Sequence, residues 1–219
     1  EFKKVNVVAV DLAGNKTEAK VPFYIKEFKE KVDNIKISDD FVNNISKHVL
    51  ENSDMNVPSS IVDIFIKTNK ELREKNVKTI REVVKKNLVN DMKTSFDIKP
   101  FIRLPNAATF AQFGERRHYF YGEEKIDEAW HLGMAWASVK RAEVQVTNPG
   151  KVIFKDYLGI YGDTVIIDHG LGVGTLYAHT SSINVEVNDE VKAGQHIANT
   201  GATGAVFGDH LHFGMLVQG

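Results

Sequence analysis

Residues 201–214 of the 219-residue chain read Gly-Ala-Thr-Gly-Ala-Val-Phe-Gly-Asp-His-Leu-His-Phe-Gly, a glycine-rich segment that leads into a short apolar strand. Side chains two positions apart on a β-strand point to the same face, so His210 and His212 are expected to share one space while Leu211 packs behind them. One imidazole of such a pair can bind a metal ion while the other hydrogen-bonds a water molecule or an oxyanion. A single His-x-His pair is weak support for a metal site, so further potential ligands have to be found elsewhere in the chain.

Two further segments place histidines where they could join this pair. In His131-Leu-Gly-Met-Ala135, the glycine between two potential ligand positions lets the backbone bend so that both ends can reach one ion. In Tyr177-Ala-His179, the histidine ends an apolar strand. Its imidazole would face the same cleft if the strands are neighbours in an antiparallel sheet.

The chain from about residue 95 onward has the pattern of a compact all-β domain, because short β-rich runs are separated by glycine and Asn/Asp turns at regular spacing. The predicted strands are 143–147, 151–154, 164–168, 174–179, 183–187, 196–200 and 210–217.

The two preceding regions differ from this domain. Residues 1–28 alternate like a β segment around an Asp-Leu-Ala-Gly-Asn turn, which looks like the end of an immunoglobulin-like repeat. Residues 36–92 form a helical accessory region with predicted helices that begin after Ser38 and Ser60 and a third over 77–84. Its charged residues are expected to be solvated faces, with a partner-binding helix as the alternative.

Composition excludes several function classes. The formal net charge of −1 gives no electrostatic footprint for nucleic acid, and the lack of cysteine means that any metal must be held by His and carboxylate groups. No run reaches the roughly 20 apolar residues of a membrane helix. The chain starts and stops within strand-like sequence, which suggests a piece of a longer protein whose export signal or membrane anchor could lie outside it.

Taken together and in this order, the histidine segments resemble the lysostaphin-type (LytM-like) zinc metallopeptidases, which cut peptide cross-bridges in bacterial cell walls. The family pattern is His-x-Gly-x-Asp, then Tyr-x-His, then a glycine-rich loop into His-x-His. The resemblance covers roughly residues 100–219 and includes the connecting segments 113–117, 165–170 and 189–195. It implies an α+β protein whose C-terminal antiparallel β-sheet domain, residues 95–219, folds over a zinc groove.

The resemblance also implies a role for each histidine. His131 and His212 match the zinc-binding histidines, and His179 and His210 match the two catalytic histidines that polarise the attacking water and stabilise the oxyanion. Zn²⁺ would act as a Lewis acid and lower the pKa of its bound water toward about 7.

The pattern breaks at one position, because Ala135 stands where the family has its aspartate ligand. A methyl group cannot coordinate zinc, so zinc binding and catalysis are expected to be weakened or absent in this chain. Either Ala135 is an introduced substitution that disables an active enzyme, or the domain is naturally non-catalytic. Retention of all four histidines favours the first interpretation.

Other polar residues have weaker assignments. Arg116 and Arg117 could clamp a substrate carboxylate, with surface salt bridges as the alternative. His169 is expected to fix its loop by a hydrogen bond and His196 to pack in a strand, whereas His48 and His118 have no partner motif.

The leading functional hypothesis is a zinc-dependent peptidoglycan endopeptidase that is exported to the periplasm or cell envelope. The alternatives are a catalytically dead scaffold that binds cell wall or activates amidases, and a peptidase of another glycine-rich or D-amino-acid-containing substrate. The helices are expected to regulate the groove or to position the substrate.

Overall fold

The computed structural model describes residues 5–22, 29–88 and 98–218, which divide between two compact units, Glu1–Glu30 and Lys31–Gly219. The first unit is an antiparallel hairpin of β1 (Asn6–Val10) and β2 (Lys16–Lys20). Its turn is held by Asp11, whose Oδ1 accepts hydrogen bonds from the Ala13 and Asn15 amides at 2.9 Å. The boundaries predicted at residues 28, 92 and 95 lie outside the described residues.

After one short strand, the second unit has two helical segments, α1 (residues 39–51) and α2 (residues 61–86). Each begins at a predicted cap, because the hydroxyls of Ser38 and Ser60 accept hydrogen bonds from backbone amides of the first turn. A five-residue π-helical stretch widens each segment. The successive α, π and α bounds are Asp39–Phe41, Val42–Ser46 and Lys47–Glu51 in α1, and Ile61–Lys67, Thr68–Leu72 and Arg73–Lys86 in α2.

The predicted third helix is not separate. Residues 77–84 continue α2, because no proline or glycine interrupts the chain between 61 and 86. No helix among the described residues is long and apolar enough to cross a membrane.

The described part of the second unit contains thirteen strands. They are β3 (Val32–Lys36), β4 (Ala108–Ala111), β5 (Arg116–Tyr121), β6 (Glu124–Trp130), β7 (Met134–Ala137), β8 (Glu143–Gln145), β9 (Gly150–Tyr157), β10 (Asp163–Asp168), β11 (Val173–Ala178), β12 (Thr180–Ile183), β13 (Glu190–Val191), β14 (His196–Thr200) and β15 (Leu211–Val217). A short 3₁₀ turn, Gly159–Tyr161, separates β9 from β10.

Seven of these strands form the main sheet, which is antiparallel throughout in the order β13-β9-β10-β11-β15-β7-β4. Two three-stranded sheets accompany it, β12-β14-β8 and β3-β5-β6, with β3 parallel to β5. The protein is therefore α+β with a C-terminal antiparallel sheet, as predicted. The strand predicted over 183–187 was wrong, because the observed strand β12 (Thr180–Ile183) ends where the predicted one begins. Its apolar alternation reflects Val185, which is buried from a loop.

The main sheet is covered on both faces. Along β10, Ile166 joins the apolar cluster of the helices, whereas Val165 and Ile167 join the cluster beneath the β12-β14-β8 sheet. Adjacent residues on a strand point to opposite faces, so one continuous apolar run supplies both cores.

One buried polar contact fastens α2 to the loop before β10. The Oδ1 atom of Asn76, whose side chain is buried, accepts a hydrogen bond from the Ile160 amide at 3.0 Å. Gly159 has φ +48°, and a Cβ atom there would lie 2.5 Å from the same Oδ1. The loop can therefore approach the helix this closely only because residue 159 is glycine.

Asn76→Ala is expected to lower the free energy of unfolding by about 1–3 kcal/mol, because the Ile160 amide would stay buried without a partner. Urea unfolding measures the change. Thr79→Ala is the control on the same helix, since its hydroxyl bonds only the Lys75 carbonyl within α2, and a change within about 0.5 kcal/mol is expected. Equal losses for both variants would contradict the role of Asn76.

Candidate functional site

The four histidines singled out from the sequence line one cavity of about 540 Å³. His131 lies in the loop between β6 and β7, and His179 lies between β11 and β12. His210 immediately precedes β15 and His212 lies within it. The sheet order brings them together, because β11, β15 and β7 are neighbours.

His131 and His212 face each other across this cavity. Nε2 of His131 lies 3.2 Å from Nδ1 of His212. Nδ1 of His131 lies 2.8 Å from the Gln112 carbonyl, so this nitrogen carries the proton and Nε2 keeps a lone pair. Two nitrogens bound to one tetrahedral zinc ion at about 2.0–2.1 Å would be about 3.3 Å apart. The pair is thus spaced as two ligands of such an ion would be.

Gly133 makes this approach possible. A Cβ atom at position 133 would lie 2.6 Å from both Nε2 of His212 and the Phe213 carbonyl oxygen. Both distances are too short for carbon, so the segment before β7 can pass over β15 only without a side chain. The glycine expected to let the backbone bend serves in the structure to admit the His212 ring.

His179 and His210 form the second pair, with ring centroids 4.9 Å apart. Nδ1 of His179 donates to the Thr203 carbonyl and Nδ1 of His210 donates to the Gly208 carbonyl, each at 2.8 Å. The remaining nitrogen of each ring, Nε2, is therefore a hydrogen-bond acceptor. His179 has φ +61°, a left-handed conformation that is costly for a residue with a side chain.

Burial keeps these imidazoles neutral. It lowers the pKa of His131 to about 4, with the positive charge of Arg117 adding to the effect. It lowers the pKa of His179 to about 3, assisted by His210. The pKa values of His210 and His212 are also lowered, again chiefly by burial. At neutral pH all four rings have lone pairs that can bind a metal ion or accept a proton.

Position 135 offers no group that could bind a metal ion. Ala135 is 1% exposed and pairs directly with His212 across β7 and β15, so its methyl group lies beside that imidazole. No cluster of three or more His, Cys, Asp or Glu side chains that could hold a metal ion exists within residues 5–22, 29–88 and 98–218. The cavity therefore offers two facing histidine nitrogens without a neighbouring carboxylate at position 135.

The helices contribute polar side chains to the cavity, which the sequence did not indicate. Thr68 and Asn69, in the π-helical stretch of α2, line the cavity together with Arg73. Asn69 donates to Oδ2 of Asp127 at 2.7 Å and accepts from Arg73 at 2.6 Å. The sequence did contain a signal for this polar lining, because Thr68 and Asn69 interrupt the apolar positions of α2. Only the packed structure shows what they face.

The two candidate arginines separate onto opposite faces of β5. Arg117 lines the cavity, as does Tyr119 two positions further on. Arg116 donates to both carboxylate oxygens of Glu128, at 2.9 and 3.2 Å, and its guanidinium lies 5.7 Å from the Trp130 ring centroid. The structure thus brings one of the two arginines to the histidines and leaves the other outside the cavity lining.

The remaining histidines lie outside the cavity. His169 hydrogen-bonds the Pro149 carbonyl and the Thr175 hydroxyl, both at 2.8 Å, which fixes its loop as expected. His196 contacts Asn199 at 3.1 Å, His48 contacts Glu51 at 3.0 Å and His118 lies 3.6 Å from Glu128.

Comparison with known proteins assigns this part of the chain to a family. The family model described as Peptidase family M23 matches residues 129–219, a range that holds all four histidines and Ala135. Residues 129–219 form a peptidase family M23 domain. The resemblance to lysostaphin-type peptidases is thereby confirmed.

Curated relatives of the M23 domain have envelope-related names. The chain is 33% identical to the DD-carboxypeptidase/endopeptidase Mpg of Neisseria meningitidis over 129 residues, which are 58% of this chain and 28% of that protein. It is 36% identical to the murein hydrolase activator EnvC of Escherichia coli over 45% of this chain and 24% of EnvC. It is 40% identical to the peptidoglycan DD-endopeptidase ShyB of Vibrio cholerae over 40% of this chain and 21% of ShyB. The chain thus spans less than a third of these proteins.

Two solved structures are similar over about half of the chain. The catalytic domain of lysostaphin from Staphylococcus simulans is 27% identical with a TM-score of 0.45, covering 53% of this chain and 84% of that one. A zinc-containing peptidase from Vibrio cholerae is 33% identical with a TM-score of 0.45, covering 51% of this chain and 33% of that one.

The buried neutral histidines predict that acid destabilises the fold. An unfolded histidine has a pKa near 6.5, so the unfolded chain binds more protons than the folded chain between that pH and the folded values of about 3 and 4. The stabilisation is complete above pH 6.5 and is lost as the pH falls toward 4. We expect up to about 1.4 kcal/mol per pH unit for each such histidine.

Urea unfolding between pH 7.5 and 4.5, with a chelator present, measures this slope. His179→Gln is the comparison, because it removes one buried imidazole and should therefore lower the slope. A stability that does not depend on pH over this range would contradict the burial of neutral imidazoles.

Proposed function

We propose that the M23 domain is built as a zinc-dependent peptidoglycan endopeptidase that cuts cross-link peptides, and that Ala135 leaves this chain inactive or strongly impaired. The observation that carries the proposal is the convergence of four neutral imidazoles in one cavity, with Nε2 of His131 and Nδ1 of His212 3.2 Å apart. Relatives named as peptidoglycan endopeptidases support the substrate class.

Within this proposal the histidines divide into two pairs. His131 and His212 are the metal ligands, because their facing nitrogens have the spacing of two zinc ligands. His179 and His210 are the catalytic pair. Each has its Nδ1 committed to a backbone carbonyl, so Nε2 is the atom that can take a proton from water or, once protonated, donate to an oxyanion.

A second candidate function is a non-catalytic scaffold that binds cell wall or activates amidases through the same cavity. Two observations favour it: the buried Ala135 at the ligand position, and the 36% identity to a protein named as a murein hydrolase activator. Both functions place the protein in the periplasm or cell envelope. The endopeptidase and the wall-binding scaffold take a peptidoglycan peptide as the partner, whereas an amidase activator takes the amidase.

We further propose that the helical accessory region, residues 36–92, shapes the cavity of the peptidase domain, residues 95–219. Phe41, Phe65 and Asn69 contribute to the cavity lining from the helices. Phe41 also stacks on Phe207 of the glycine-rich loop, with ring centroids 4.2 Å apart. A peptide that enters the cavity would meet the helices as well as the histidines.

The decisive test is Ala135→Asp. The new carboxylate would stand opposite His212 and complete a two-histidine, one-carboxylate ligand set, so stoichiometric zinc and release of fragments from purified peptidoglycan are expected. Elemental analysis measures the metal, and chromatography of the digest measures cleavage. Ala135→Asn is the matched control, because it has nearly the same size without the charge and should restore neither.

The outcomes separate the two functions. Zinc together with cleavage establishes an endopeptidase that Ala135 disables. Absence of both, in a variant that remains folded, contradicts the endopeptidase proposal and leaves the scaffold, which stimulation of a purified amidase by the unaltered chain would then test.

The two histidine pairs should fail in different ways in the Ala135→Asp background. His131→Ala is expected to lose zinc and cleavage together. His179→Ala is expected to keep zinc while cleavage falls by about 10²-fold or more, because a positioned acid–base group contributes on that scale. Zinc content and turnover are measured on the same samples. Loss of zinc from the His179 variant would reassign that residue to the metal.

A further inference from the structure

The Arg117 side chain is a half-buried cation that lines the cavity. It projects from β5 into the lining beside the histidines. Its Nε atom is buried and has no hydrogen-bond partner among the described residues. A guanidinium with an unsatisfied buried donor is costly to maintain, and an anion supplied by a ligand would satisfy it.

Three carboxylates near Arg117 form no ion pair with it among the described residues. Glu115 is buried and pairs with Nζ of Lys31 at 2.5 Å, so Arg117 acts on it only through its charge. Asp209 lines the cavity, and its carboxylate accepts from the Thr200 hydroxyl at 2.6 Å and the Arg141 amide at 3.1 Å. Asp33 also lines the cavity and stands opposite Arg117 in the β3–β5 register, but it is exposed.

A second arginine reaches the cavity from α2. Arg73 is held by the Asn69 carbonyl at 2.9 Å and the Asn69 side chain at 2.6 Å. The lining thus holds two guanidinium groups, two aspartates and four neutral imidazoles, and Ala135 adds no further negative charge where the family has an aspartate. The space of about 540 Å³ lies within the range of about 300–1,000 Å³ typical of ligand sites.

We propose that Arg117 binds a carboxylate group of the peptide that occupies the cavity, and that it makes the site selective for peptides that carry one. The inference rests on the proposed function, because it takes a wall peptide as the occupant. The planar guanidinium suits a carboxylate, since it can form two parallel charge-assisted hydrogen bonds that a neutral amide cannot replace. The carboxylate could be the chain terminus of the peptide or a side chain, and the site would recognise either by the same contact.

Equilibrium binding to the unaltered chain, in chelator, tests this without cleavage. The probes are N-acetyl-D-alanyl-D-alanine with a free terminus, its C-terminal amide, and N-acetyl-D-glutamic acid α-amide, which has only a side-chain carboxylate. Calorimetry should show at least about tenfold tighter binding of one of the acids than of the amide. Which acid binds more tightly identifies the source of the carboxylate.

Variants connect this preference to Arg117. Arg117→Gln should abolish the difference in affinity between acid and amide. Arg117→Lys should keep part of it, because the positive charge stays while the two parallel N–H donors of the guanidinium are lost. Arg81→Gln removes an arginine from the exposed surface of α2 and is the charge-matched control, expected to bind like the unaltered chain. Thermal unfolding of each variant confirms that it is folded.

Two results would overturn the proposal. One is equal affinity for acids and amide, including no binding of any probe. The other is a preference for acids that survives in Arg117→Gln. Neither bears on the endopeptidase proposal, which is decided by zinc and fragment release in Ala135→Asp. Conversely, carboxylate selectivity in a chain whose Ala135→Asp variant does not cut would assign the site to a binding module.

Discussion

The site depends on the contact between the segment that precedes β7 and the strand β15. At Gly133 the two backbones are so close that a single added carbon atom would lie 2.6 Å from His212 and from the Phe213 carbonyl. This approach sets the separation of His131 and His212 at 3.2 Å and places Ala135 directly opposite His212. The spacing of the two histidine nitrogens is therefore a property of backbone packing, and it does not depend on the side chain at position 135.

Antiparallel pairing brings the second pair of histidines to the same place. Ala178 pairs with His212 at the end of β11, so His179 follows at the edge of the cavity. Its left-handed backbone separates β11 from β12, and its Nδ1 is tied to the Thr203 carbonyl of the glycine-rich loop. The four histidines are distant in sequence, but they meet because the start of β7 and the end of β11 both lie beside His212 of β15. Hydrogen bonds to backbone carbonyls then orient the rings.

Local patterns in the sequence were sufficient for much of this arrangement. The His-x-His spacing and the capping serines 38 and 60 act over a few residues, so the sequence predicted them. The contact of Gly133 with His212 was not predicted, because those residues are far apart in the sequence. Contacts across the fold were not predictable in that way. The role of Asn69 and Arg73 in the cavity depends on how α2 packs against β5 and β6. The strand predicted around Val185 was wrong because this residue is buried from a loop, and burial alone is enough to produce an alternating apolar pattern.

Retention of the four histidines alongside Ala135 has a structural component. Three of the rings donate from Nδ1 to a backbone carbonyl, of Gln112, Thr203 or Gly208, so the fold itself gains from these side chains. An asparagine amide could satisfy the same carbonyls, however, and it would offer no basic nitrogen. What the fold does not use is Nε2 of His179 and His210, which forms no hydrogen bond within the described residues. Proton transfer requires a basic nitrogen that is not used in structural hydrogen bonds. Nε2 of His179 and of His210 meets this requirement, and this supports the proposed role of the two residues as an acid–base pair.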